Sequence, residues 1–337
     1  MSITGQLNVA VVHRSLAQDA LADVHNTRLD STESKLMIRG TEDLGAGVVA
    51  NFFVAAGIAT DTGNGSWCRG DCWLGLRGPL GSIRLGNALP IYDDVSLPWY
   101  FVEAAGNHNP AMLWANCGNR AGLSEGCVDS YLARTLRYDT PRWAGWSGSA
   151  SVSDPSDDLA GDPRRAKVYA LGAEYRAGAL YLGFAQEQLR DVRAVGLVDS
   201  ATTVSLWLHG WLTLGAGIEH LRYSVATGGA LERNYAGLML QHTTGPHTVW
   251  ANLGVAGSGY GSAANGSVVN AIAHADDSGA SMTTLGYRYR LSKTTQVYAY
   301  WNEIANGRNG RYSFDGSPPQ QAGWRLSALA LGMTKRF

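Results

Sequence analysis

The sequence predicts an all-β fold, a transmembrane antiparallel β-barrel of 16 strands built as one domain over residues 1–337. Three observations predict it. Apolar and polar residues alternate with period 2 from one end of the chain to the other, which sends successive side chains to opposite faces of a sheet. The alternating segments are joined by short turns on one side and long polar stretches on the other, the asymmetry of outer-membrane barrels. Charged residues are only 16% of the chain, yet mean hydropathy is −0.12. Low charge without high hydropathy fits a wall with one face in lipid and the other in water.

The elements follow in order. Residues 3–11 alternate and form the first strand; residues 35–39 form another, followed by a turn over 40–45 and a strand over 48–59. Residues 73–77 and 82–86 flank the turn Gly78-Pro79-Leu80-Gly81, and residues 168–175 and 179–186 flank Arg176-Ala177-Gly178. Residues 205–210 run closely into 211–222, while 238–242 and 247–253 flank Thr243-Thr244-Gly245-Pro246. Residues 283–290 and 295–301 flank Leu291-Ser292-Lys293, and 325–337 form the last strand. Such close pairs read as hairpins on one rim. Long stretches rich in Gly, Asn, Ser and Asp follow alternate strands at 17–33, 87–130, 154–165, 256–281 and 306–323. Sixteen strands leave about 21 residues for each strand and its connection, right for strands of ~10 residues with mixed loops.

Composition narrows the function classes. Gly 42, Tyr 15 and Trp 11 stand against Pro 10, which suits many strands and tight turns. A net charge of −1 argues against a chain built around nucleic-acid phosphates. No run of 18 apolar residues encodes a transmembrane helix. Met1-Ser2-Ile3-Thr4-Gly5 has neither a basic nor an apolar leader region, so the numbering reads as a mature chain whose signal peptide was replaced by a start Met. A propeller would show a blade repeat of ~40 residues, and none is present. A sandwich of this length would split into domains.

Several segments resemble the general porins of Gram-negative bacteria, specifically the trimeric 16-stranded porins of β-proteobacteria. They are Ser34-Lys35-Leu36-Met37-Ile38-Arg39-Gly40-Thr41-Glu42-Asp43-Leu44-Gly45, the pair Leu74-Gly75-Leu76-Arg77-Gly78 and Gly81-Ser82-Ile83-Arg84-Leu85-Gly86, and Leu136-Arg137-Tyr138-Asp139-Thr140-Pro141. The hairpin Gly286-Tyr287-Arg288-Tyr289-Arg290-Leu291-Ser292-Lys293-Thr294-Thr295 and the closing Gly332-Met333-Thr334-Lys335-Arg336-Phe337 complete the match, which spans residues 34–337.

The resemblance implies passive diffusion of small ions and hydrophilic solutes through a water-filled outer-membrane channel, with no enzyme activity and no cofactor or metal. It implies a homotrimer in contact with the lipid bilayer and lipopolysaccharide, inserted by the barrel-assembly machinery, which reads the terminal Phe337. It also implies that the third loop, about residues 87–130, folds into the lumen. Its acids Asp93, Asp94 and Glu103 would then face basic residues on the wall, producing a transverse field that orients solutes and sets ion preference. Lys35 stands where the family places a pore-lining Arg. Alternation puts Lys35, Met37 and Arg39 on one face and Leu36 and Ile38 on the other. It likewise turns Arg84 and Arg137 inward while Ile83, Leu85, Leu136 and Tyr138 face out. Arg39 and Arg69 read as ordinary solvated residues with the constriction role second. Asn87, Trp73 and Tyr131 stand near positions where basic residues are common, so the expected anion preference is weak.

Cys68, Cys72, Cys117 and Cys127 fall in or beside the second and third outer loops, and an even count in an oxidising compartment implies two disulfides with three connectivities open. Cys68 and Cys72 need a tight turn to bridge, and their spacing suits metal poorly. Trp143, Trp146, Trp207, Trp211, Trp250, Trp301 and Tyr298 read as the aromatic girdle at the bilayer interfaces, with a sugar-stacking path as the sharper alternative. Gly45-Ala46-Gly47-Val48-Val49-Ala50 fits a dinucleotide fingerprint only formally, since no helix follows. His13 and Ser15 lack a third partner for hydrolysis. The alternatives to a general channel are a substrate-specific channel and a barrel acting mainly as adhesin or structural anchor.

Overall fold

A computed structural model of the chain describes residues 1–17, 23–31, 33–96, 113–115, 126–156, 165–314 and 321–337. Sixteen antiparallel strands close into a barrel. In chain order they are β1 (Ser2–Ala17), β2 (Val24–Ser31 continued by Lys35–Gly45), β3 (Val48–Ala59), β4 (Asn64–Gly78), β5 (Gly81–Ala88) and β6 (Leu132–Asp139). There follow β7 (Trp146–Ser153), β8 (Lys167–Ala177), β9 (Leu180–Arg190), β10 (Val198–Leu208) and β11 (Leu212–Ser224). The last five are β12 (Ala230–Thr244), β13 (His247–Ala256, extended by Tyr260–Gly261), β14 (Ala280–Arg290), β15 (Thr295–Asn306) and β16 (Arg325–Arg336).

Each strand pairs with its sequence neighbour, and β16 returns to β1 from Gln6↔Arg336 to Ala17↔Arg325. Gly5 and Phe337 extend that ladder with two backbone bonds, Gly5 N–H to the Phe337 carbonyl at 2.9 Å and Phe337 N–H to the Gly5 carbonyl at 3.0 Å. Glycine is required at position 5, because a Cβ there would lie 2.6 Å from the Phe337 ring. Among the described residues every barrel strand has a partner on both sides, which a sheet in hydrocarbon requires.

β2 is one barrel strand with an interruption. Its upper part pairs with β1 from Leu16↔Val24 to Val9↔Ser31, and its lower part from Gln6↔Lys35 to Ser2↔Arg39. The Ser34 hydroxyl stitches the break by donating to the Asn8 carbonyl at 3.1 Å and accepting the Asn8 N–H at 2.8 Å. The sequence reading of 17–33 as a long loop is therefore corrected: polar residues of residues 24–31 serve a strand whose inward phase faces water and charge. Residues 40–45 are likewise strand rather than turn, since β2 runs to Gly45 and reverses at Gly45-Ala46-Gly47, where all three residues have positive φ.

The two faces separate as the pleat demands. Outward positions on β5 and β6 are Ile83, Leu85, Leu136 and Tyr138, all exposed at the protein surface. The alternate positions Arg84, Arg137 and Asp139 share the opposite face, because directly opposed residues in the ladder lie on one side. The lumen carries its own core. The segment after β5 turns into a short helix, α1 (Ile91–Ser96), whose Ile91, Tyr92 and Val95 are buried against β8, β9 and β10. Glycines on the inner face make room for it: a Cβ on Gly172 would lie 2.4 Å from Ile91, and one on Gly183 would lie 2.8 Å from Val95.

Candidate functional site

The segment between β5 and β6 is held to the inner wall by one buried ion pair. Glu219 of β11 and Arg233 of β12 are hydrogen-bonded, and neither side chain retains solvent exposure. Glu219 also accepts the Tyr92 hydroxyl at 2.8 Å and the Ala115 N–H at 2.8 Å. Arg233 donates to the Leu113 carbonyl and bonds the Tyr312 hydroxyl at 3.3 Å. Tyr92 stacks on Trp114 with ring centroids 4.8 Å apart, and Trp114 Nε1–H donates to Thr203 Oγ1 at 3.4 Å. Burying two charges is costly unless their remaining donors and acceptors are satisfied. Here three of the satisfying groups, Tyr92, Leu113 and Ala115, come from the inserted segment and one, Tyr312, from the connection between β15 and β16, so the pair and the segment stabilise each other.

A basic row lies on the inner face of β2 to β6. Arg39 sits over the Phe53 ring at 5.0 Å, Phe53 stacks with Trp73 at 6.0 Å, and Arg84 lies over Trp73 at 5.4 Å. Arg84 and Arg137 are directly opposed in the β5–β6 ladder. Like charges in that relation repel, and two carboxylates offset them. Asp139 accepts Arg84 Nη2 at 2.7 Å, Arg137 Nε at 2.9 Å and the Ser149 hydroxyl at 2.8 Å. Asp94 of α1 reaches Arg137 as well. The structure thus brings Arg84, Arg137 and Asp94 together, with Arg39 further along the row.

The other named residues lie elsewhere. Lys35 shares the inward phase of β2 but pairs with Glu33 at 3.1 Å, both well exposed. Asp93 is largely withdrawn from water, and this desolvation, together with the neighbouring Asp94, pushes its carboxyl up to about 7. Glu103 and Cys117 lie outside the described residues. Cys68 and Cys72 form a disulfide with Cα atoms 5.1 Å apart, and Cys127 is disulfide-bonded too. The tight turn this needs is supplied by the positive φ of Cys68, opposite a register shift between Val54 and Ala56. Asn87 braces it by donating to the carbonyls of Cys68 (3.1 Å) and Gly70 (2.7 Å). The position that departs from the expected basic residue thus carries a structural load. Trp207, Trp250 and Tyr298, predicted for the lipid girdle, are buried on the lumen side, whereas Trp143, Trp146 and Trp211 are exposed at the short-turn rim.

Sequence reading missed Asp139, Glu219, Arg233 and the pair Arg14–Asp30, bonded at 2.5 Å on the inner face of β1 and β2. The usable signal was phase, since each sits at an inward position. On β11 and β12, however, Leu221, Tyr223 and Tyr235 share that phase and are buried. The alternation there no longer separates water from lipid.

A closed barrel with a charge-lined lumen and an inserted segment defines a membrane channel of the outer-membrane type. Residues 1–309 match the family described as Gram-negative porin, and the chain belongs to that family of outer-membrane proteins. It is 25% identical over 296 residues to outer membrane porin protein 32 of Delftia acidovorans, covering 86% of this chain and 79% of that protein. It is 29% identical over 196 residues to major outer membrane protein P.IB of Neisseria meningitidis serogroup B, covering 57% of this chain and about half, 52%, of that protein's length. Among solved structures, the anion-selective porin from Comamonas acidovorans superposes with a TM-score of 0.79 at 22% identity, covering 100% of this chain and 99% of that one. OmpT of Vibrio cholerae in its trimer form gives 0.66 at 13% identity, with 100% and 98% covered.

Proposed function

We propose that the chain forms a water-filled outer-membrane channel for passive diffusion of small hydrophilic solutes and ions, with a weak preference for anions and without catalytic chemistry. The constriction in this reading lies between the α1-bearing segment, with Asp93 and Asp94, and the row Arg39, Arg84 and Arg137. The carrying observation is the ion-paired contact of Asp94 with Arg137, which joins inserted segment and wall across the lumen face. Fixed opposite charges at close range focus the field felt by a passing ion.

The anion preference is supported by the short-turn half of the lumen. By ladder register Arg77 (opposite Ser82), Arg288 (opposite Thr248) and Arg336 (opposite Gln6) join the basic row on the inner face, with Asp43, Asp139 and Glu174 as the acids there. The similarly folded Comamonas acidovorans protein is an anion-selective porin, which agrees with this sign. The trimer form of a structural neighbour supports a homotrimer. Exposed Phe337 at the seam is proposed as the element read by the barrel-assembly machinery, and lipid with lipopolysaccharide as the outer surroundings. Planar-bilayer recording tests the reading: stepwise open-channel currents in KCl, with a reversal potential of anionic sign in a salt gradient, are expected. Absence of steps would favour an adhesin or anchor.

A further inference from the structure

The inner wall at the short-turn end holds a polar pocket of about 300 Å³ between β6, β7, β8 and the turn after Asp139. Its lining includes Arg142, Ser147 and Glu174. Glu174 is the shared acceptor of two guanidiniums, Arg142 at 3.4 Å and Arg176 at 3.1 Å, both half-exposed. Arg142 reaches Ser147 Oγ at 3.3 Å. Those distances are long for charge-assisted bonds, which are ordinarily ~2.7–2.9 Å. One carboxylate therefore serves two guanidiniums loosely, and the trio keeps a net positive charge. The remaining acid of the pocket is already committed: Asp139 accepts from Arg84, Arg137 and Ser149. The volume is at the small end for ligand sites, enough for a solute of a few heavy atoms.

We propose that this pocket is an oxyanion subsite at the periplasmic mouth, taking small solutes that bear a carboxylate or a phosphate. The incoming group takes the bidentate place on Arg142 that Glu174 fills only loosely, and the Ser147 hydroxyl donates to it. Glu174 keeps Arg176 and acts as the built-in competitor that holds affinity low enough for release, as conduction requires. A channel with such a site saturates with anionic solute, whereas a plain hole does not. The inference rests on the lumen being an open channel, which steps in KCl alone establish separately.

The test is block of single-channel KCl current by succinate and, in a separate arm, by inorganic phosphate, each added to one side at a time. Saturable block is expected, reached at lower concentration from the short-turn side. Arg142→Gln should raise the half-blocking concentration about tenfold or more, the worth of a lost charge-assisted bond, and Glu174→Gln should lower it. Block by succinate alone or phosphate alone assigns the source of the oxyanion. Open steps in KCl with no saturable block, or block that Arg142→Gln leaves unchanged, would overturn the subsite while leaving the channel reading intact.

Discussion

Arg233 and Glu219 meet on adjacent strands of the inner wall, both side chains fully buried and both hydrogen-bonded to the segment that follows β5. Neither charge reaches water, and each finds hydrogen-bond partners in that segment, Glu219 accepting from Tyr92 and Ala115 and Arg233 donating to the Leu113 carbonyl. Arg233→Met leaves Glu219 buried without its cation, a loss of about 3–5 kcal/mol. The expected outcome is a lower unfolding midpoint in detergent together with larger, noisier single-channel steps. Unchanged conductance and midpoint would contradict the anchoring role.

Arg137 is the most connected cation of the row, bound by both Asp94 and Asp139. Arg137→Ser removes one fixed positive charge from the lumen and frees Asp94. The reversal potential in a KCl gradient should move toward cation preference. Lys35→Glu should move it less, because the Lys35 ammonium is exposed and already shared with Glu33. An equal shift would place Lys35 at the narrowest point instead.

Asp93 gives the pore a pH dependence near neutrality. Its carboxyl is raised to about 7 by desolvation and by Asp94. A raised acid favours the folded state fully below its ordinary value near 4, and that contribution is lost as pH rises through about 7. The inserted segment is thus packed most favourably, and is least negative, on the acid side. Anion preference should increase as pH falls from 8 to 5, and Asp93→Asn should flatten the dependence. A pH profile identical in the variant would refute it.

Leu85 sits on the outer face beside Arg84 on the inner. Leu85→Arg should cost about 2–4 kcal/mol near the bilayer midplane, read as a lower unfolding midpoint in lipid vesicles. The same substitution at Ser149, inside the lumen, should alter current far more than stability.

The barrel was legible in the sequence because its signal is repeated in most strands, so a poorly patterned segment costs little. The short reversals at 78–81, 243–246 and 291–293 were found where the structure puts them. Residues 24–31 were not, because both faces of this stretch carry polar groups, Arg28 and Asp30 on the inner face, bonded at 2.5 Å, and His25 and Thr27 on the outer. Local alternation of charge was enough to put Arg84 and Arg137 on the inner face. The anchor pair was hidden because its logic is tertiary: Glu219 and Arg233 acquire their role through Tyr92, Leu113 and Ala115, about a hundred residues earlier in the chain. The clue that was available is glycine at the inward position 172, where a Cβ would lie 2.4 Å from Ile91 of the incoming helix.

The join between the first and sixteenth strands has a consequence for how the protein is made. Every other pairing links neighbours along the chain, whereas Gly5 and Phe337 can find each other only after all the intervening segments have been laid side by side. A partly assembled wall would present two raw margins of amide and carbonyl groups to acyl chains, where nothing can solvate them. Removing residues 325–337 should therefore yield not a leaky cylinder of fifteen staves but a species that never leaves its chaperones.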